Sequence, residues 1–442
     1  MSKEVKVIGA GLAGCEAAWQ LAGSGIHVKL FEMKPKKRSP AHIFPGFAEL
    51  VCSNSFRSNE LTNAVGLLKD EMRRLGSLII KTADKTKIPA GGALAVDREQ
   101  FSRLITEQLK NHPLIEIVEQ EIIDIPDGRV IIASGPLTSD SLAINITNLV
   151  SGRKMLNFFD SAAPIVTVES IDMNHAFYAS RYDKGDADYI NCPMDKDQYL
   201  EFHEALINAE KAPVHGFEDK LVFEGCIPIE VMAKRGVDTI RYGPLKPVGL
   251  RDPRTGKEAY AVVQLRKDNT EGTLYNIVGF QTHLRFGEQK RVFGMIPALK
   301  KADIVRYGVM HRNTYLDSPR LLDRFYRLKL NPRISFAGQI TGVEGYVESA
   351  ASGLLCAVEA ARELLGLPPV EFPAETAIGA LALYISSGSV SDFQPMNINF
   401  GLIKPLDVKV KDKRNKNLAI SERSLQLIDR IVKGAGESED NH

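Results

Sequence analysis

The 442-residue chain has few of the residues that mark several classes of protein. Its five cysteines are an odd number without a Cys-x-x-Cys pair, so they do not indicate a disulfide framework. No apolar run approaches the roughly 20 residues that a membrane-spanning helix needs. No signal-peptide pattern precedes the first apolar segment, so we expect a cytoplasmic protein without a membrane anchor. Since no His, Cys, Asp or Glu cluster has metal-ligand spacing, we predict no metal.

The chain also lacks a charge excess, with 56 basic and 55 acidic residues and a net charge of +1. A nucleic-acid substrate would therefore need a local basic patch. The segment from Lys404 to Lys433 is the candidate, since its nine basic and four acidic residues give +5. It has two interpretations, a solvated surface helix and strand or part of a polyanion-binding face.

The N-terminal segment has the pattern of a dinucleotide-binding site. A strand-like run, Val5–Ile8, leads into Gly9-x-Gly11-x-x-Gly14 and an Ala-rich helical pattern that reaches about Ala22. The glycines allow a tight turn, close approach of a pyrophosphate and close packing of helix on strand. The N-terminus of the helix then offers free N–H groups to the phosphates.

An acidic residue completes this pattern. The strand-like run His27–Glu32 ends in a carboxylate 21 residues after Gly11 (32 − 11), where a ribose-binding acid is expected. A lone glycine motif is weak, and S-adenosylmethionine enzymes show a similar one, but strand, glycines, helix, strand and acid in this order favour a dinucleotide fold. The predicted cofactor contacts are Gly9, Ala10, Gly11, Leu12, Ala13, Gly14 and Glu32.

A second glycine-rich segment favours FAD over NAD. Residues 333–353 run from a strand through a turn with Gly338 and Gly345 into a helix of small residues that begins near Tyr346. This segment resembles the second flavin-contacting segment of glutathione-reductase-type flavoproteins, in which a helix N-terminus faces the isoalloxazine. We therefore expect Gly338, Gly345 and Tyr346 to contact FAD. Tyr346 either stacks on the ring or gates it, or it packs as an ordinary core residue.

The remaining pattern predicts the domain order. A helix capped by Asp97 and strands near 115–118 and 129–135 continue the first fold. Between them and the second flavin segment, a helix near 195–207 and strands near 260–265 and 274–279 form a different unit. We predict an α/β protein: a glutathione-reductase-type FAD-binding Rossmann domain with an inserted α+β substrate domain. The FAD domain would span 1–160 and 301–442, the second part with the basic C-terminal segment, and the substrate domain 161–300.

Two thiols lie in loop-like surroundings, Cys52 in ELVCSNSF and Cys226 in FEGCIP. The blocks around them, with others along the chain, resemble the folate- and FAD-dependent tRNA (uracil-5-)-methyltransferases from about Val5 to at least Val410. The blocks are GAGLAG at 9–14, AELVCSNSFRSN at 48–59, PAGGALAVDR at 89–98, SRYDKG at 180–185, NCPM at 191–194, FEGCIPIEVMAKRG at 223–236, YNIVGFQTHL at 275–284, RYGVMHRNT at 306–314, FAGQITGVEGYVESAASG at 336–353 and FQPMNINFG at 393–401.

The resemblance implies a reaction. NAD(P)H reduces FAD, and the methylene group of 5,10-methylenetetrahydrofolate passes through the flavin to C5 of uridine 54 in the T-loop of tRNA. A paralogue that methylates ribosomal RNA would share every one of these blocks. A plain FAD-dependent NAD(P)H oxidoreductase and a non-catalytic RNA-binding flavoprotein are further alternatives. The sequence leaves open the choice of NADH or NADPH and the oligomeric state, monomer or weak dimer.

The chemistry needs two protein groups. C5 of uracil becomes nucleophilic only after a nucleophile adds at C6, and a base must later remove the C5 proton. By the family's motifs Cys226 is the nucleophile and Cys52 the proton-abstracting group, with the reverse assignment open. Arg57 and Arg235 are candidates for promoting a thiolate. The other thiols are expected to be structural: Cys15, Cys192 and Cys356.

Several further side chains have two interpretations each. His283 and His311 either face the folate or are satisfied structural histidines. Arg285 and Arg312 either bind the folate glutamate or an RNA phosphate, or form surface ion pairs. The run 34–38 is either a solvated loop or a phosphate contact.

Overall fold

The computed structural model describes residues 3–39, 41–150, 156–183, 186–212, 227–308, 310–388 and 393–439. The helices are α1 Leu12–Gly23, α2 Ala64–Arg74, α3 Leu78–Lys85, α4 Arg98–Lys110, α5 Asp140–Leu149, α6 Lys196–Asn208, α7 Ile229–Ala233, α8 Thr239–Tyr242, α9 Phe286–Phe293, α10 Ser318–Leu321, α11 Tyr346–Leu365, α12 Ala377–Ser386 and α13 Lys413–Glu439. The strands are β1 Glu4–Ile8, β2 His27–Glu32, β3 Ser55–Ser58, β4 Lys87–Ile88, β5 Ala93–Val96, β6 Ile115–Glu119, β7 Arg129–Ile132, β8 Leu156–Ser161, β9 Ile165–Thr167, β10 Phe177–Ala179, β11 Tyr189–Met194, β12 Ala261–Lys267, β13 Leu274–Ile277, β14 Ile304–Arg306, β15 Met310–Tyr315, β16 Arg327–Leu328 and β17 Asn331–Phe336.

The first sheet has the strand order β16-β17-β7-β1-β2-β6. All neighbours in it pair in parallel except β16 and β17. The chain moves from β1 to β2 on one side and places β7 on the other, so the strand order reverses at β1. In an open parallel sheet such a reversal leaves a crevice at the carboxyl ends of the strands, where ligands bind. This arrangement confirms the predicted Rossmann-type α/β class.

The second sheet has the order β10-β11-β12-β13-β9-β14 and is antiparallel throughout. It carries its own buried core, which includes Ile190, Phe202, Leu265 and Phe280 and is separate from the core of the first sheet. Strand β14 belongs to this sheet although it lies beyond residue 300. The division of the chain at 160 and 300 stays a prediction.

A two-stranded ribbon connects the two sheets. Strand β8 leads into the second sheet and pairs antiparallel with β15, which leads back to the first. A third small sheet, β3-β5-β4, follows the Cys52 segment. The loop that contains Cys52 leads directly into this third sheet.

Local sequence signals explain where several elements begin. The Asp97 carboxylate accepts a hydrogen bond from the Gln100 N–H at 2.9 Å and caps α4, as predicted. Asp195 and Gln198 form a reciprocal capping box at the start of α6. In the C-terminal segment the predicted helix is present as α13, but the predicted strand is wrong. Residues 404–412 are irregular, because no described strand lies beside them to pair.

Candidate active site

A cavity of about 540 Å³ opens at the crevice beside β1. Its walls come from the turn after β1, the ends of β2 and β7, the Cys52 loop, the start of α11 and the edge of the second sheet. The predicted cofactor contacts Gly9, Ala10, Gly11, Leu12 and Ala13, together with Glu32, Gly338, Gly345 and Tyr346, all line it. Gly14 is the exception, because it packs behind the turn.

The glycines after β1 form a tight turn at the cavity. Gly9 has φ +99°, and a Cβ there would lie 2.6 Å from the Ala133 carbonyl oxygen. A Cβ on Gly14 would overlap the Gly9 carbonyl, whereas nothing lies within 4 Å of the Cβ position of Gly11. Gly9 and Gly14 therefore allow tight packing, and Gly11 leaves backbone N–H groups of α1 open to a phosphate.

Glu32 makes two contacts within the protein that the sequence did not predict. One carboxylate oxygen accepts a hydrogen bond from the Ala10 N–H at 2.8 Å, and the other accepts one from the Lys34 N–H at 2.9 Å. The buried carboxylate thus holds the glycine turn while it still lines the cavity. Lys34 itself is buried and paired with Glu49 at 3.6 Å, so it is not a solvated loop residue.

The second glycine segment turns sharply before α11. Gly338 and Gly345 have φ of +87° and +105°, values that only glycine adopts readily. A Cβ on Gly353, inside α11, would lie 2.9 Å from Cα of Ala13 in α1 and closer still to its carbonyl oxygen. Helices α1 and α11 therefore cross at van der Waals contact of their backbones, and this crossing fixes both glycine segments on one cavity.

Tyr346 joins the second segment to the Cys52 loop. Its hydroxyl oxygen accepts hydrogen bonds from the backbone N–H of Cys52 at 2.8 Å and of Ser53 at 3.0 Å. Burial raises the pKa of this phenol, and the neighbouring Cys52 raises it further. The neutral hydroxyl is thus a fixed acceptor for the loop. The sequence predicted a flavin contact for Tyr346 and missed this one.

Three arginines from other elements hold the Cys52 loop. Arg98 at the start of α4 donates to the Leu50 carbonyl at 2.6 Å, and Arg306 of β14 donates to the Val51 carbonyl at 2.8 Å. Arg266 of β12 donates to the Ser53 hydroxyl at 2.7 Å and to the Asn54 amide oxygen at 3.1 Å. One donor, Arg98, therefore comes from α4, and the other two, Arg266 and Arg306, come from the second sheet.

The charges of this cluster are incompletely balanced within the described residues. Asp268 pairs with Arg98 at 3.1 Å, and burial lowers the pKa of Arg266 and of Arg306, with nearby Arg98 adding to both shifts. Buried guanidinium groups that face few carboxylates create a positive potential. The half-buried thiol of Cys52 lies beside this positive region and on the cavity.

Arg57 lines the same cavity in a strained backbone conformation, with φ +62°. Its guanidinium pairs with the buried carboxylate of Glu348, which also accepts a hydrogen bond from the Ile398 N–H at 2.9 Å. Arg57, a predicted candidate for promoting a thiolate, thus has its guanidinium paired with a carboxylate. Arg235, the other nominee, is exposed.

Two buried amides that line the cavity were not predicted from the sequence. Asn313 is fully buried, and neither polar atom of its side chain has a hydrogen-bond partner among the described residues. The buried Asn276 Nδ2 likewise has no hydrogen-bond partner among the described residues. A buried amide without a partner costs about 1–3 kcal/mol, so both fit a ligand with a polar edge in the cavity they line. Both occur in blocks quoted above, but nothing in those blocks distinguishes them from other polar residues.

The remaining candidates divide between structural and undescribed residues. Cys15, Cys192 and Cys356 are fully buried, and burial raises the pKa of each thiol, to about 11 for Cys356. His283 is buried against Glu230 at 2.7 Å, and exposed Arg285 pairs with Glu210 at 3.0 Å. Three candidates fall outside what the structure describes: Cys226 as a residue, and His311 and Arg312 in their side chains.

Neither a metal site nor a membrane span is found in the described part of the chain. No group of three or more His, Cys, Asp or Glu side chains there could hold a metal ion. Similarly, none of its helices combines the length and the apolar character that crossing a bilayer requires.

Sequence similarity to known proteins extends over nearly the whole chain. A family model described as Glucose inhibited division protein A matches residues 4–368. The methylenetetrahydrofolate–tRNA-(uracil-5-)-methyltransferase TrmFO of Acetivibrio thermocellus is 60% identical over 429 residues, 97% of this chain and 98% of that protein. The protein of the same name from Listeria monocytogenes serotype 4b is 58% identical over 432 residues, 98% and 99% of the two chains. Aquifex aeolicus GidA has a TM-score of 0.70 at 16% identity, over 97% of this chain and 74% of that one, which shows a shared fold.

Proposed function

Because the chain belongs to the family of the methylenetetrahydrofolate–tRNA-(uracil-5-)-methyltransferases, we propose that it methylates C5 of uridine 54 in the T-loop of tRNA. The carbon donor is 5,10-methylenetetrahydrofolate, and the reductant is NAD(P)H. The observation that carries the proposal is the cavity of about 540 Å³, which joins both glycine segments to the Cys52 loop. A redox cofactor and a thiol on one cavity are what this reaction needs.

The cavity fits FAD. The open N–H groups after Gly11 would bind the pyrophosphate, and the start of α11 would face the isoalloxazine. When bound and reduced, FAD would supply a carrier for the one-carbon unit and the hydride equivalent that completes the methyl group. The buried amides of Asn276 and Asn313 would satisfy polar ring edges of the flavin, the folate or the uracil.

The protein's own thiols perform the covalent steps on uracil. The Cys226 thiolate adds to C6, and the electron pair moves to C5, which bonds to the one-carbon unit. Cys52 then removes the C5 proton. The electron pair left at C5 forms a double bond to the one-carbon unit, whose bond to its carrier breaks, and an exocyclic methylene remains on C5. After hydride reduces the one-carbon unit to a methyl group, the Cys226 thiolate leaves C6 and the C5–C6 double bond is restored. The role of Cys226 is supported by the family motif alone, and that of Cys52 also by its place on the cavity.

The uridine has to leave its stack to reach this cavity. A base in a folded loop is extruded at a cost of a few kcal/mol, which contacts between protein and phosphates offset. We therefore expect tRNA binding to weaken steeply as salt rises. Equal affinity at low and physiological salt would contradict this part of the proposal.

The direct test is a methylation assay on two RNAs. Purified protein, NAD(P)H and 5,10-methylenetetrahydrofolate are mixed with an unmodified tRNA transcript or with a ribosomal RNA fragment, and 5-methyluridine is read by mass spectrometry. Methyl on the T-loop alone supports the proposal. Methyl only on the ribosomal fragment overturns the substrate, and methyl on neither, with flavin bound and reducible, indicates a plain oxidoreductase.

Cysteine variants test the mechanism. We expect Cys226→Ala and Cys52→Ala to lose methylation while NAD(P)H still reduces the flavin. Cys192→Ala is the matched control, because that thiol is buried in the core of the second sheet, and it should retain methylation. If both variants kept full methylation, the assigned chemistry would be wrong. A different result would indicate a non-catalytic RNA-binding protein: the wild type transfers no carbon, and both variants bind RNA as tightly as the wild type.

A further inference from the structure

We propose that a basic patch formed by Lys409, Lys411, Lys413, Arg414 and Lys416 binds the phosphate backbone of the tRNA substrate. The inference rests on the proposed function and adds the surface that holds the RNA. All five side chains are exposed. The whole chain carries only +1, so any attraction to RNA has to come from a local concentration of charge such as this one.

The patch lacks the ion pairs that neutralise other cations nearby. Lys404 pairs with Glu375 at 2.7 Å, and Arg74 joins α2 to Asp429 of α13 at 2.6 Å. By contrast, none of the five patch residues forms an ion pair with a described residue. Asp412, the acid between them, accepts a hydrogen bond from the Asn415 N–H at 2.8 Å and so serves the backbone.

The placement of these charges runs against the intrinsic electrostatics of a helix. Lys413, Arg414 and Lys416 occupy the first turn of α13, which contains no acidic residue. The N-terminus of a helix carries a partial positive charge and favours acids. Clustered cations here repel each other and the helix dipole, and polyvalent anions such as successive phosphates relieve both repulsions.

Two hydrogen bonds fasten α13, beside the patch, to the segment that follows β3. The Asn417 amide donates to the Thr62 carbonyl at 3.0 Å, and the Ser421 hydroxyl donates to the Leu61 carbonyl at 2.7 Å. Residues 61 and 62 follow β3, the strand that contains the cavity residue Arg57. On the other side the chain leaves the cavity wall at Asn397 and reaches the patch twelve residues later. RNA phosphates on the patch would therefore flank a nucleotide that enters the cavity.

The test compares two triple variants with the same change in charge. The patch variant is Lys411→Gln, Lys413→Gln and Arg414→Gln. The control is Lys3→Gln, Lys81→Gln and Arg333→Gln, three exposed cations that do not line the cavity and form no ion pair with a described residue. The affinity for an unmodified tRNA transcript is measured at several salt concentrations, together with flavin content, thermal unfolding, and kcat and KM for methylation.

We expect the slope of log K against log salt to fall by about 2–3 in the patch variant, since each lost phosphate contact removes roughly 0.7–0.9. Near 100 mM salt, binding should weaken on the order of tenfold or more and KM for tRNA should rise by a similar factor, while kcat, flavin content and unfolding stay unchanged. The control variant should keep the wild-type slope.

Binding to vesicles that contain anionic lipid is measured alongside. Three results overturn the patch: a wild-type slope for tRNA in the patch variant, an equal loss of tRNA binding in the control variant, or a loss of vesicle binding in the patch variant with tRNA binding unchanged. Failure of the proposed function looks different. If the wild type bound tRNA with a patch-dependent slope but methylated nothing, the function would fall and the patch would stand.

Discussion

The crossing of α1 and α11 gives a sharp test of how the fold makes the cofactor site. A Cβ added at Gly353 would lie 2.9 Å from Cα of Ala13, whereas ordinary contacts begin near 3.4 Å. The two helices would have to separate by at least 0.5 Å (3.4 − 2.9), and by more to clear the Ala13 carbonyl oxygen. Overpacking of this kind costs about 1–3 kcal/mol.

The displacement acts on both glycine segments, because α1 begins at the first and α11 begins at the second. We therefore expect Gly353→Ala to lower the stability of the protein and also to weaken FAD binding, by roughly tenfold for each 1.4 kcal/mol that the bound form loses. Gly23→Ala is the matched control. Nothing lies within 4 Å of its Cβ position in α1, so this change should leave FAD binding intact and stabilise the helix by up to about 1 kcal/mol.

The assay measures FAD retained after gel filtration, the dissociation constant for added FAD, and thermal unfolding with and without the cofactor. The reasoning would be refuted if Gly353→Ala retained FAD and unfolded at the wild-type temperature. It would also be refuted if Gly23→Ala lost FAD to the same extent.

Three further predictions follow from buried polar contacts. Burial raises the pKa of Glu71 to about 7 from an ordinary value of 4.5, so the stabilising effect of its protonated form is complete below pH 4.5 and is lost as pH rises through 7. Over this range the free energy of unfolding of the wild type, measured with denaturant, should fall by up to about 3 kcal/mol relative to that of Glu71→Gln. Equal pH dependence of the two unfolding free energies would contradict this prediction. Tyr346→Phe leaves two backbone N–H groups without their acceptor, at about 1–3 kcal/mol each, so peptide mapping should show faster alkylation of Cys52. Arg266→Lys cannot reach both of its partners in the loop and should lower kcat for methylation at least about tenfold while FAD content is kept; an unchanged kcat would show that the second contact is dispensable.

The sequence predicted most of the first sheet because its signals are local. The glycine spacing, the acid at Glu32 and the cap at Asp97 each act within a few residues, and the structure contains the elements they predict. The C-terminal strand was wrong because a strand needs a partner. Val408 alternates with charged residues as a strand would, yet it is 70% exposed and no described strand lies beside it.

The surroundings of Cys52 were beyond local reasoning. Arg266 lies 212 residues from Asn54, and Tyr346 lies 294 residues from Cys52. No spacing rule relates residues so far apart, because their contact depends on how the two sheets are placed. For the same reason the buried amides of Asn276 and Asn313 were not distinguished from other polar residues in the same blocks.

The arginines around the Cys52 loop have a consequence for exchanging parts between relatives. The loop belongs to the chain segment before β3, but Arg266 and Arg306, which hold its side chains and carbonyls, belong to the second sheet. A chimera that takes the second sheet from another member must therefore bring arginines at these two positions. Without them, the Ser53 hydroxyl and the Asn54 amide oxygen lose their arginine donor, and the Val51 carbonyl keeps only the long contact of 3.5 Å from Arg98. The thiol would then be misplaced although every residue of its own loop was native.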